Sequence, residues 1–175
     1  VWSSEVTNFT RYPINLAGDG NTFTNIHVEA GGLANLMIDG HHNKVLGVLS
    51  YNSQNDQNII IAGNYNQLTG SMYPGGFGGS KGTKGVQIGV TAGDTAAGNI
   101  IDISTEGQTG GSINVLNSAG SNDYNVRAAQ DSVATLISGG RNSFDRHNVW
   151  ANGVLVSTNK HAVRYSLSSP ETAVA

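Results

Sequence analysis

The sequence predicts an all-β protein: a single-stranded right-handed parallel β-helix, a solenoid of about 20–23 residues per rung carrying one Gly-rich loop insertion. Three observations carry this. One short motif recurs at a solenoid's period, alternating apolar residues lead into it, and no run of ~10 residues shows the 3.6-residue periodicity of a helix.

The motif reads aliphatic, any, Gly, any, any, Asn, any, apolar. Its copies are Leu16–Phe23, Ile38–Val45, Ile61–Leu68 and Ile137–Phe144, with a weaker one at Asn117–Tyr124 that has Ala119 for Gly. The corner positions are separated by 22, 23, 56 and 20 residues. An apolar residue stands two before the aliphatic one in most copies, as Ile14, Leu36 and Ile59. Such alternation marks a strand with one inward face. Gly then turns the corner, because it accepts φ > 0 without steric cost. Asn21, Asn43, Asn66, Asn122 and Asn142 should stack at that corner and hydrogen-bond from rung to rung. Two near matches, Gly32 with Asn35 and Gly111 with Asn114, lack the large aliphatic residue, lie out of phase and are set aside.

The long gap holds further strands at Val86/Ile88/Val90, Ile101/Ile103 and Ile113/Val115. The stretch Gly70–Gly82 is too rich in Gly for a strand and reads as a loop insertion near 70–85. The chain therefore divides into a lead-in at 1–13, a β-helix domain at 14–159 and a C-terminal strand and tail at 160–175. It starts in mid-pattern, without Met or a signal peptide, and reads as a fragment. Phe23, Tyr124 and Phe144 take the inward position of the motif, while Tyr65 takes an outward one.

Composition narrows the function. The chain has 175 residues, 24 Gly, 3 Pro and no Cys, with a charged fraction of 12%. Its 20 Asn outnumber its 9 Lys and Arg. A net charge of −3 is poor material for a nucleic-acid surface. No apolar run approaches the ~18 residues of a membrane span. The lack of Cys excludes a disulfide scaffold and a thiolate metal site. The adjacent His41 and His42 diverge on a turn, so no metal and no cofactor is expected. Gly75–Lys84 lacks the spacing of a phosphate loop and no helix follows it.

The remaining chemistry is acidic and aromatic. Glycan hydrolysis needs two carboxyls ~5–10 Å apart. Residues one rung apart in a β-helix lie ~4.8 Å from each other. Asp102 with Asp123, and Asp123 with Asp145, have about one rung between them and are the candidate catalytic pairs; Asp39 with Asp56 qualifies across a short rung. Tyr65 and Tyr73 are candidate sugar-stacking rings, Lys81 and Lys84 candidate contacts for an anionic polymer. Arg141, Arg146 and His147 cluster near the last rungs, either as an anion-binding groove or as caps on carbonyls at the coil's end.

With these residues in view, the chain resembles the right-handed β-helix of bacteriophage tailspikes and pre-neck appendages, within the wider pectin-lyase-like group. Asn58–Leu68 and Asn122–Val126 carry most of the likeness, which covers about residues 14–150. The resemblance implies a homotrimer on a virion tail, extracellular once assembled, that binds host-surface polysaccharide or cell-wall polymer. It supplies no catalytic motif for this sequence. Three functions stay open: a host-recognition segment of a trimeric spike, a depolymerase (hydrolase or lyase) using paired Asp, and a C-terminal trimer-assembly domain released by self-cleavage.

Overall fold

The computed structural model describes residues 4–6, 11–29, 31–51, 53, 57–73, 84–90, 95–108, 111–116, 121–129, 137–139, 146–151 and 154–159. They form an all-β parallel solenoid, with no helix among the described residues. The strands are β1 (Ser4–Val6), β2 (Ile14–Leu16), β3 (Thr22–Thr24), β4 (Ile26–Glu29), β5 (Leu36–Ile38), β6 (Lys44–Tyr51), β7 (Gln57–Ile61), β8 (Gln67–Tyr73), β9 (Lys84–Ile88), β10 (Ile100–Glu106), β11 (Gly111–Val115), β12 (Asp123–Ala129), β13 (Ile137–Gly139), β14 (Arg146–Ala151) and β15 (Val154–Asn159).

The chain alternates between two sheets. The six-stranded sheet runs β13-β11-β9-β7-β5-β2, and the nine-stranded sheet runs β1-β4-β6-β8-β10-β12-β14-β15, with β3 also on β6. All pairings are parallel except β14 with β15, an antiparallel hairpin. β1 already joins the nine-stranded sheet, pairing Ser4 with Ile26.

The core is a set of columns between the sheets. Leu36, Ile59, Val86 and Ile113 are register partners and fully buried. So are Val45, Leu68, Ile101 and, at 2% exposure, Tyr124 on the facing sheet. Phe23 packs half-buried at the near end of that column. Each column repeats because parallel register keeps like side chains stacked on one face.

The Gly/Asn corner is held by a side-chain ladder. The backbone N–H of Asn21 donates to Asn43 Oδ1 at 2.9 Å, that of Asn43 to Asn66 Oδ1 at 2.9 Å, that of Asn66 to Asn99 Oδ1 at 2.8 Å and that of Asn99 to Asn122 Oδ1 at 3.0 Å. The side-chain amides of Asn66, Asn99 and Asn122 also donate to the carbonyls of Gly40, Gly63 and Ala96. The ladder thus satisfies buried backbone groups that no strand reaches. Asn99 was not expected there. An insertion between β9 and β10 separates it from its aliphatic partner, so the Gly-x-x-Asn motif is broken, and the step from Asn66 to Asn99 is 33 residues instead of 22 or 23. Asn142 lies outside the described residues.

A second ladder runs outside the first, with the opposite direction of donation. The N–H of His41 donates to Asp19 Oδ1 at 2.6 Å, that of Asn64 to His41 Nδ1 at 2.9 Å and that of Ala97 to Asn64 Oδ1 at 2.8 Å. His41 therefore carries its proton on Nε2. Replacing His41 by Ala should cost about 1 kcal/mol of stability in urea unfolding, while His41→Asn, whose amide oxygen supplies the same acceptor, should stay within ~0.5 kcal/mol of the parent.

The setting aside of Asn35 as a copy of the motif stands, and one expectation, the start of the loop, is corrected by the fold. Asn35, set aside in the sequence, is fully buried at the other corner. Its amide donates to Ser50 Oγ at 3.0 Å, Tyr51 O at 2.6 Å and Asn58 Oδ1 at 3.3 Å. It lacks the expected motif because this corner enters the six-stranded sheet, where the chain needs no Gly-x-x-Asn turn. The expected loop starts too early: Gly70, Ser71, Met72 and Tyr73 belong to strand β8. Gly70 is required there by close packing, since a Cβ would overlap the backbone carbonyl and side chain of Val48. Residues 74–83 lie outside the described ones.

Candidate glycan-binding groove

The outward face of the nine-stranded sheet presents side chains in columns set by register. Inward Ser50, Met72 and Thr105 force their neighbours Tyr51, Tyr73 and Glu106 outward. Tyr51 pairs with Tyr73 across β6 and β8, and their rings stack at 4.9 Å and 7°. His27 stacks on Tyr51 at 5.2 Å and 30°. This three-ring stack ends at Tyr73, because the next strand carries no aromatic residue at that end.

The neighbouring column runs Leu49, Ser71, Ser104, Arg127 and Trp150. Arg127 Nη1 donates to Asp102 Oδ1 at 2.6 Å, and its guanidinium carbon lies 5.8 Å from the centre of the Trp150 ring. The cation is thus oriented by a charge-assisted bond and a ring face together. Both side chains of the ion pair are about half exposed, at 55% and 42%, so its contribution to stability is small.

Between Tyr73 and Arg127 lies an open groove of about 480 Å³, lined by Ser71, Tyr73, Ser104, Glu106, Arg127 and Ala129 among others. It offers hydroxyls, one carboxylate and a guanidinium fork beside a flat ring. That donor set is suited to hydroxyl-rich ligands, with stacking at one end and bidentate hydrogen bonding at the other. No group of three potential metal-ligating side chains occurs among the described residues.

The sequence-predicted residues are distributed unevenly. Tyr73 borders the groove, and Asp102 orients Arg127 at its edge. Asp102 and Asp123 are on adjacent strands without being register partners. Asp102 faces Asn125, and Asp123 faces Ile100 and Arg146, because the rung here is 23 residues long. Arg146 and His147 occupy β14 opposite Asp123 and Tyr124. Lys84 begins β9 on the other sheet, and Tyr65 stands at the Gly/Asn corner. Asp145, Lys81, Arg141 and Asp56 lie outside the described residues. The meeting of Arg127 and Trp150 was not legible in the sequence: only the 23-residue register lays one over the other.

Fold and groove together define a class: an Asn-laddered parallel β-solenoid with a groove on one sheet that pairs an aromatic ring with an oriented guanidinium. No family model, curated protein or solved structure matches this chain.

Proposed function

We propose that this protein is a glycan-binding β-solenoid, the host-recognition segment of a trimeric phage spike, and that the groove between Tyr73 and Arg127 takes cell-surface or cell-wall polysaccharide. The observation that carries the reading is the groove's pairing of a terminal ring with an oriented guanidinium. The phage assignment and the trimer rest on the resemblance of the Gly-x-x-Asn corners to those of tailspikes.

Arg127→Ala and Trp150→Ala should each weaken binding of host-surface polysaccharide at least ~10-fold, the loss of one charge-assisted contact, without lowering the melting temperature by more than ~2 °C. Binding is read by surface plasmon resonance and oligomeric state by light scattering on the same samples. Unchanged affinity in both variants overturns the groove, and a monomer overturns the trimer.

Cleavage is a second reading, drawn from the diagonal placement of Asp102 and Asp123. Diagonal neighbours across a strand pair lie about 7–8 Å apart, within the span of an inverting carboxyl pair. The engagement of Asp102 by Arg127 favours binding over acid–base work. Released reducing ends from the parent protein, abolished in both Asp102→Asn and Asp123→Asn, would establish the depolymerase; release that persists in either variant removes that residue from the mechanism.

A further inference from the structure

One position of the Gly/Asn corner has left-handed backbone in four successive passes of the chain: Gly20 at φ 70°, His42 at 57°, Tyr65 at 58° and Gly98 at 68°. Their backbone bonds are equivalent. Gly20 N donates to His41 O, His42 N to Asn64 O, Tyr65 N to Ala97 O and Gly98 N to Ser121 O. Glycine adopts this conformation freely, and a residue with a Cβ does not. The outer two passes use glycine, yet the inner two carry rings.

Core packing does not ask for those rings. Tyr65 is 61% exposed, and His42 is exposed as well. Strained residues that the fold could replace with glycine point to a role outside folding. The two rings stack at 5.2 Å and 19°. Tyr65 also lies over Gly98, where a Cβ would come within 2.6 Å of its Cε1. Each ring therefore leans toward the following pass. Tyr65 is covered on both faces, and His42 is covered by Tyr65 on one.

The other face of His42 turns toward the pass of Gly20. There a Cβ would meet nothing within 4 Å. The stack thus ends on an open step about one strand spacing deep, ~4.8 Å, the thickness of one stacked ring. Asp19 and Asn21 flank Gly20 at this step, and both are exposed. Asp19 Oδ1 accepts the N–H of His41, and a carboxylate retains further lone pairs for hydroxyl donors. Its charge disfavours anionic ligands.

We propose that this step is a second sugar subsite, separate from the groove, which takes one neutral pyranose ring with its C–H face on the His42 imidazole and its hydroxyls on Asp19. The hydroxyl acceptors beside the ring favour a sugar over an aromatic side chain of a protein partner. The geometry stands on its own observations and does not require the groove to bind.

The test is an NMR titration of the ring C–H signals of His42, assigned by their loss in His42→Gly, with the methyl glycosides of glucose, galactose and mannose and with glucuronate as an anionic control. Saturable shifts in the millimolar range are expected for at least one neutral glycoside and none for glucuronate. On an Arg127→Ala background, where the groove is weakened, saturation transfer to that glycoside should vanish when His42→Gly is added, and His42→Gly alone should melt at the parent temperature or above because its backbone strain is relieved. Arg127→Ala should keep the shift, which separates this subsite from the groove. Absence of any shift with all three neutral glycosides, saturation transfer undiminished by His42→Gly on the Arg127→Ala background, or a lowered melting temperature in His42→Gly without sugar-dependent shifts each overturns it.

Discussion

Gly63→Ala should cost about 3 kcal/mol of folding stability, or roughly 10 °C in melting temperature. A Cβ at Gly63 would overlap the carbonyl oxygen of Gly40 in the preceding pass and stand 2.7 Å from its carbonyl carbon. That neighbour is backbone, hydrogen-bonded to the Asn66 amide at 2.9 Å, and it cannot move aside without opening the corner. The demand is for space and not for a left-handed φ. Gly20→Ala provides the contrast. Its φ is 70° and its surroundings are open, so only the backbone strain of about 1 kcal/mol applies. Urea unfolding of both variants checks the difference; equal losses would show that the approach of successive passes does not set the glycine requirement at residue 63.

Asn99→Ala should cost about 3 kcal/mol, as a buried hydrogen-bonding node is removed. The side chain is fully buried. Its Oδ1 accepts the N–H of Asn66, while its Nδ2 donates to Gly63 O at 3.1 Å and to Asn122 Oδ1 at 3.0 Å. Truncation leaves the Asn66 N–H and Gly63 carbonyl buried without these bonds. Asn99→Asp retains the acceptor and loses both donations, and it adds a charge in a dry corner, so it should be at least as damaging at neutral pH. Amide hydrogen exchange offers a local reading. Protection at Asn66 N–H should fall in Asn99→Ala and persist in Asn99→Asp wherever the chain remains folded.

Both predictions concern features of different legibility. Gly63 and Asn66 stand in an unbroken Gly-x-x-Asn motif, and the sequence alone places them at a corner. Asn99 is a member of the same ladder but has no such motif around it. The insertion ahead of it breaks the spacing, and a period search cannot bridge a step of 33 residues. Asn35 shows the complementary failure. Its role depends on Ser50 and Asn58 arriving at the same corner, which no local pattern records.

The candidate site was less legible than the fold. A pairing based on a 21- or 22-residue separation places Asp102 against Asp123, whereas the real register sets Asp102 beside Asn125. In a sheet an error of one or two residues moves a side chain to another column or another face. The separation across β10 and β12 is 23 residues, with Ile100 beside Asp123, and only the paired strands reveal it.

Local pattern is enough to specify the parallel solenoid, the Gly/Asn corner, the inward columns and the exposure of Tyr65. These follow from period-two alternation and a repeated turn, both written locally in the chain. Which outward residues meet is set in three dimensions: the Tyr51–Tyr73 stack, Arg127 between Asp102 and Trp150, and the ring pair of His42 and Tyr65 beside an open step at Gly20. The physical reason is that apolar burial constrains the inward face at every residue, while the outward face is constrained by register alone, and register is a property of neighbouring passes.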